Sequence, residues 1–209
     1  MDQLIQTCKQ SVLTIYEQFD ASHDYAHIER VMKNAEDIMA TEDNVDESII
    51  RLAVLLHDID DAKYKSDANP SAMEILQSIG ASKQLTDKII ECIKSVSFSG
   101  GNAQAITSIE GAIIRDADRL DAMGAIGIAR TFAFGGAKGR KLYDKSESVR
   151  SNMSEADYRG RGTASVTHFY EKLLLLKDLM VTEEGKRLAE ERHMYMVEFL
   201  NQLDREVGR

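Results

Sequence analysis

The sequence has no tryptophan, a single proline (Pro70) and two cysteines, Cys8 and Cys92, among its 209 residues. Two cysteines are too few for a disulfide framework, which excludes a small disulfide-stabilised domain and suits a reduced cytoplasm. Proline interrupts helices, and its scarcity combines with abundant Ala, Leu, Ile, Met, Glu and Lys to favour them. We therefore predict an all-α fold, whose 43% hydrophobic content can bury one substantial core.

Apolar runs long enough to cross a membrane are also missing, since about 20 consecutive apolar residues are needed and no stretch approaches that length. The first residues, MDQLIQTCKQ, carry charges where a signal peptide has an apolar segment. The net charge of −9 disfavours nucleic-acid polymers, because Lys and Arg drive binding to phosphate backbones. The sequence thus predicts a cytoplasmic protein that contacts neither membranes nor nucleic-acid polymers, whereas a small phosphorylated molecule needs only a local cationic pocket.

The spacing of apolar residues predicts a single domain over residues 1–209, built from helices except for one segment. Its core spans about 20–134 and includes a helix over about 23–39 that Ser22 can cap. Residues 135–163 are basic, rich in Gly and Ser, and lack an apolar period, which is typical of a long loop or lid. Residues 164–209 return to helical spacing and predict C-terminal helices that complete the domain.

Residues 52–63, LAVLLHDIDDAK, combine an apolar helix with adjacent His57 and Asp58 at its end. Burying an imidazole and a carboxylate among apolar side chains costs several kcal/mol unless a cation neutralises the charge. Adjacent side chains on a helix point about 100° apart, so both reach one ion only where the helix is ending. The pattern therefore indicates a metal ion beside the final turn.

Two other helices carry an inward-facing polar residue on an apolar stripe. His27 shares a helical face with Val31 and Ala35, and Asp118 lies within RDADRLDAMG. Two imidazoles and two carboxylates suit a divalent transition metal better than a structural zinc site, which usually uses Cys, and they leave coordination positions for water. The set predicts a catalytic metal site.

The order His27, then His57 with Asp58, then Asp118 is where the sequence resembles the HD-domain metal-dependent phosphohydrolases. The resemblance is to the small bacterial stand-alone branch and covers nearly the whole chain. The segments that carry it are SHDYAHIERV, LLHDIDDAKY, DADRLDAMGAIGIAR and THFYEKLLLLKDLM. It implies an all-α HD-domain helical bundle in which these four residues surround one ion.

The same resemblance implies the chemistry. Family members hydrolyse phosphate esters or anhydrides, and this branch resembles enzymes that cut nucleoside triphosphates to monophosphate and pyrophosphate. The ion is typically manganese, with Fe, Co, Ni, Zn or Mg as alternatives. Versions with several metals carry further histidines between the His-Asp pair and the final Asp, and none lies between His57 and Asp118 here. One ion is therefore expected.

Catalysis also needs a carboxylate that orients or deprotonates water. Asp61, one turn beyond Asp58, occupies a position where related enzymes carry an acidic residue, and it is our candidate for that role. Lys63 follows in the same loop, where its ammonium could hold a phosphate or simply remain solvated. His23, four residues before His27, is either a substrate contact or an exposed residue at the start of its helix.

His168 and Lys172 are further candidate substrate contacts, because their i and i+4 spacing can present two cationic donors to a phosphate chain. Such pairs more often lie on the solvent-exposed surface of a helix.

Several other functions fit the same sequence. A phosphomonoesterase (a 5′-nucleotidase) or a cyclic-nucleotide phosphodiesterase would use the same scaffold, and a non-catalytic nucleotide sensor would keep the pocket without turnover. The presence of Asp61 favours an enzyme, because a sensor needs no carboxylate to position water. A helical scaffold protein, whose polar residues only pair with each other, would bind no metal. Base preference and oligomeric state stay open.

Overall fold

The computed structural model describes residues 1–20, 23–61, 68–96, 105–150 and 162–208. Within these ranges the regular structure is helical and no β-strand occurs, which confirms the predicted all-α fold. The α-helices are α1 (Asp2–Tyr16), α2 (Tyr25–Met39), α3 (Glu47–Leu56), α4 (Ala72–Ser78), α5 (Lys83–Lys94), α6 (Ile109–Asp121), α7 (Gly124–Ala137), α8 (Ser165–Glu171) and α9 (Glu183–Glu206). A 3₁₀ helix, Leu173–Leu179, lies between α8 and α9.

The described residues form two compact units, one ending at Asp118 and the other starting at Arg119. The prediction of a single domain, with its loop or lid at 135–163, stays a prediction. Part of that segment is regular, because α7 continues to Ala137. Within the described ranges, no helix has both the length and the apolar character needed to cross a membrane.

Helix α3 is the centre of the first unit. Its side chains are buried from Ile49 to Leu56 except at Arg51, and it packs against α1, α2 and α5. A helix that is apolar on nearly every side belongs inside the fold. The burial of α3 therefore carries the residues at its C-terminal end, including His57, into the interior of this unit.

Side-chain caps define where α2 and α3 begin. The Asp24 carboxylate accepts a hydrogen bond from the His27 backbone N–H at 3.1 Å. The Asp46 carboxylate likewise accepts from Ser48 and Ile49, at 3.1 and 3.3 Å. Such caps contribute about 1 kcal/mol each. Ser22, which we expected to cap α2, lies outside the described residues, and the helix begins two residues later than predicted because Asp24 is its cap.

The second unit is built around α7, α8 and α9. Phe132 lies 6.0 Å from Phe169 and 5.9 Å from Phe199, measured between ring centroids, so these aromatic rings join the three helices. The buried Glu171 carboxylate accepts two hydrogen bonds from the Arg150 guanidinium. One comes from Nε at 2.7 Å and the other from Nη2 at 2.9 Å. This two-bond pair ties the chain before α8 to the end of that helix.

Candidate metal centre

The His57 imidazole is fixed by the backbone of the helix that precedes it. Its side chain is 1% exposed, and Nδ1 lies 2.8 Å from the Val54 carbonyl oxygen. A carbonyl can only accept, so Nδ1 carries a proton and donates this bond. Nε2 is left on the opposite side of the ring, where a neutral imidazole offers its lone pair.

The Nε2 atom of His57 faces three other predicted ligands, which α2, the end of α3 and α6 bring together within the first unit. It lies 3.3 Å from His27 Nε2, 3.5 Å from Asp58 Oδ1 and 3.7 Å from Asp118 Oδ1. His27 Nε2 is also 3.4 Å from Asp58 Oδ2 and 3.5 Å from Asp118 Oδ1. We call these four residues the metal centre.

The spacing within the metal centre suits donors that share one ion. Ligand atoms about 2.1 Å from a metal lie roughly 3.0–3.5 Å from each other when they are neighbours in its coordination shell. The facing atoms of His27, His57 and Asp118 all lie within 4.8 Å of one another. Two nitrogen and two carboxylate ligands are a donor set that first-row divalent metals accept.

Asp58 supplies an independent reason to place a cation here. Among the described residues, its Oδ2 atom is buried and has no hydrogen-bond donor. A buried carboxylate oxygen without a donor is costly, and native proteins rarely leave one unsatisfied. A divalent ion between Asp58 and His27 removes that cost, so the residues present fit a bound metal.

The charges in the metal centre depend strongly on each other. Burial disfavours the imidazolium of His57, but the carboxylates of Asp58 and Asp118 outweigh it and raise the pKa of His57 to about 9. Burial also acts against both carboxylates, yet the neighbouring imidazoles hold the pKa of Asp58 and the pKa of Asp118 below their usual value. Without metal at neutral pH, the Nε2 atom of His57, which faces the other ligands, therefore carries a proton.

Metal binding is expected to tighten about tenfold for each pH unit between about pH 6 and 8, because His57 must lose a proton before it can bind an ion. The sign follows from its raised pKa of about 9, since protons compete with the ion at every pH below that value. Titration calorimetry with Mn²⁺ in buffers of different ionisation enthalpy measures both affinity and released protons. We expect release of about one proton per ion at pH 7. An affinity that does not change with pH would contradict this assignment.

The structure places two other predicted site residues near the metal centre. The Asp61 backbone N–H donates to the Asp58 carbonyl at 3.1 Å, so the half-buried Asp61 lies in the turn that follows the His-Asp pair. The His23 ring is 5.8 Å from the His27 ring, with its Nδ1 3.8 Å from an Asp20 carboxylate oxygen. Their catalytic and substrate-binding roles stay predictions.

The remaining candidates lie elsewhere in the chain. Lys63 falls outside the described residues. His168 belongs to α8 and Lys172 follows that helix, both in the second unit and both half-buried. The Lys172 backbone N–H donates to the His168 carbonyl at 3.0 Å. Contact of either side chain with a substrate stays a prediction.

Two buried polar residues support the metal centre but were absent from the sequence-based prediction. Asn34, 4% exposed, donates from Nδ2 to the Ala117 carbonyl at 3.0 Å, immediately before Asp118. The Tyr16 hydroxyl donates to the Leu55 carbonyl at 3.0 Å. Asn34 could have been found, because it is a polar residue on the same apolar stripe as His27, whereas a tyrosine on an amphipathic helix gives no such signal.

Comparison with known proteins gives the class that this fold and site define. Residues 24–123, which include the whole metal centre, match the HD domain. The chain is also 38% identical over 208 residues to the uncharacterized protein YpgQ of Bacillus subtilis, covering 97% of this chain and 92% of that protein. The chain therefore belongs to the HD-domain family and is a metal-dependent phosphohydrolase of that superfamily.

Solved structures agree with this assignment. A Lactobacillus plantarum protein is similar with a TM-score of 0.88 and 32% identity, covering 100% of this chain and 98% of that one. An HD-superfamily hydrolase from Bacillus thuringiensis has a TM-score of 0.72 and 38% identity, with 98% and 96% covered. B. subtilis YpgQ in complex with ADP has a TM-score of 0.77 and 33% identity, with 99% and 97% covered.

Proposed function

We propose that this protein hydrolyses nucleoside triphosphates to nucleoside monophosphate and pyrophosphate, using one Mn²⁺ ion held by His27, His57, Asp58 and Asp118. The observation that carries the proposal is a cluster of two imidazoles and two carboxylates, in which each imidazole Nε2 lies 3.3–3.7 Å from the other imidazole and from both carboxylates. Imidazole and carboxylate together suit Mn²⁺ and its first-row neighbours. A third carboxylate, Asp61, lies in the adjoining turn.

The chain's own residues divide the work of such a reaction. A divalent ion held by His27, His57, Asp58 and Asp118 would lower the pKa of bound water far below its bulk value of about 15.7 and would neutralise phosphoryl oxygens. Asp61 accepts the proton of the attacking water, because it is the carboxylate next to the metal centre in the same turn. His23, beside His27, contacts the phosphate chain, and Lys63, two residues after Asp61 in the sequence, contributes a cation.

A nucleotide is supported by a relative and by the charge of the chain. YpgQ, which is 33% identical and matches 99% of this chain, has been crystallised with ADP. The net charge of −9 and the sequence pI of about 5.1 oppose binding of a long polyanion, but a small nucleotide needs only local cations. With its β and γ phosphates met by cationic groups, pyrophosphate is a good leaving group from the α-phosphorus. We also propose a cytoplasmic location.

The bond that breaks can be identified with water enriched in oxygen-18. We expect the label on the nucleoside monophosphate, and inorganic phosphate only after a pyrophosphatase is added. Removal of the metal with a chelator should stop the reaction and return of Mn²⁺ should restore it. Direct release of orthophosphate, or faster turnover of a monophosphate or cyclic nucleotide, would favour the phosphomonoesterase or phosphodiesterase instead. Nucleotide binding without turnover would identify a sensor.

A further inference from the structure

The backbone hydrogen-bond pattern changes at the C-terminal end of α3. In a continuing helix the Leu55 carbonyl would accept from the Ile59 backbone N–H. The Ile59 N–H instead donates to the Leu56 carbonyl at 3.2 Å, which tightens the turn and leaves the Leu55 carbonyl available. The Tyr16 hydroxyl donates to that Leu55 oxygen at 3.0 Å. A side chain from α1 therefore completes the end of the helix that bears the His-Asp pair.

Burial raises the pKa of Tyr16, and the Asp58 backbone N–H beside the same oxygen acts against that rise. Tyr16 thus holds the Leu55 carbonyl by a hydrogen bond and lies beside the start of Asp58. The residue is 0% exposed, and its ring packs edge-on against Phe19 with centroids 5.2 Å apart. Since the ring is enclosed, the position of its hydroxyl is fixed by the packing of α1 on α3.

Among the described residues, the Asp58 side chain makes polar contacts only with the two imidazoles of the metal centre. Its Oδ2 atom lies 3.4 Å from His27 Nε2 and its Oδ1 atom lies 3.5 Å from His57 Nε2. His57 is in addition oriented by the Val54 carbonyl. The direction of the Asp58 carboxylate in the metal-free protein therefore depends on these imidazoles and on the backbone of the turn, next to which Tyr16 binds the Leu55 carbonyl.

We propose that Tyr16 is a positioning residue, whose hydroxyl fixes the turn from Leu55 to Asp58 so that Asp58 and His57 point toward one ion. The inference rests on the metal centre of the proposed function, but it does not depend on which phosphate ester or anhydride is cut. Tyr16 would position both ligands, because His57 and Asp58 are consecutive residues of the turn that follows Leu55.

The test compares Tyr16→Phe with Ser95→Ala, using Mn²⁺ alone as the probe. Tyr16→Phe removes only the hydroxyl. Ser95→Ala removes another buried hydroxyl of the same unit, which donates to the Cys92 and Gly111 carbonyls at 2.7 and 3.2 Å. We expect the Mn²⁺ dissociation constant to rise about 10- to 100-fold in Tyr16→Phe, the range usual for residues that orient metal ligands, and to stay within about twofold in Ser95→Ala.

The outcomes separate this inference from the proposed function. If the wild-type protein binds Mn²⁺ and Tyr16→Phe binds it equally well, the positioning role is overturned while the function stands. If the wild-type protein binds no Mn²⁺, both are overturned. Equal losses of affinity in Tyr16→Phe and Ser95→Ala would show a general effect of stability and would also overturn the positioning role.

A second measurement covers the case in which Tyr16→Phe fails to fold. Proton NMR of the metal-free wild-type protein should show a slowly exchanging Tyr16 hydroxyl proton, because that hydroxyl is enclosed and donates to the Leu55 carbonyl. A Tyr16 hydroxyl proton that exchanges as fast as that of an exposed tyrosine would overturn the proposal without any substitution.

Discussion

The Asp58→Ala variant is expected to lose its bound metal and to reduce phosphohydrolase turnover more than roughly 10³-fold, beyond the 10- to 100-fold loss typical of residues that only orient a ligand. Its carboxylate lies 3.4 Å from His27 and 3.5 Å from His57, so its removal takes away one of two carboxylates that balance the charge of the ion. A ligand at about 100 times its dissociation constant stabilises a protein by about 2.7 kcal/mol, and the variant should lose that gain. Metal analysis, turnover and melting with and without Mn²⁺ measure the three effects.

Asp60→Ala is the matched control for this prediction. Asp60 lies two residues further along the same turn but is exposed, and its Oδ2 accepts from the Ala72 backbone N–H at 3.1 Å. We expect this variant to retain its metal and turnover, with at most a modest loss of stability from the missing hydrogen bond. An Asp58→Ala protein with full activity and an unchanged response of its melting temperature to Mn²⁺ would rule out the metal centre as described.

The Asp61→Asn variant is expected to keep its metal while its kcat falls roughly 10²-fold or more, the scale usual for loss of a general base. The substitution preserves the shape of the side chain and removes its charge. The turn itself should persist, because the Asp61 backbone N–H, and not its side chain, donates to the Asp58 carbonyl. Metal content and steady-state kinetics on the same preparation separate binding from catalysis.

Asp60→Asn is the control for Asp61→Asn, since it makes the same chemical change one residue away. Wild-type turnover in Asp61→Asn would remove Asp61 from the mechanism and revive the sensor as an alternative. Loss of the metal together with turnover would show instead that Asp61 helps to hold the ion.

The class of fold and a candidate set of metal ligands could be predicted from the sequence for a physical reason. The spacing of apolar residues predicts the helices and their buried faces. Four polar residues occupy positions that this spacing predicts to be buried: His27, His57, Asp58 and Asp118. Such residues need a partner or an ion wherever the helices pack. Their chemistry could therefore be predicted before their positions were known.

Other features depend on contacts between residues far apart in the chain. Tyr16 donates a hydrogen bond to a backbone carbonyl at the end of α3, and Asn34 donates one to a backbone carbonyl in α6. The residue spacing within α1 and α2 does not predict which carbonyl each side chain contacts. The start of α2 at Tyr25 reflects the contact of the Asp24 carboxylate with the free His27 N–H, which the sequence pattern does not specify. Residue spacing gives a periodic face but not a distance, so the 3.3–3.7 Å separations that suit one shared ion arise only when the folded chain brings α2, the end of α3 and α6 together.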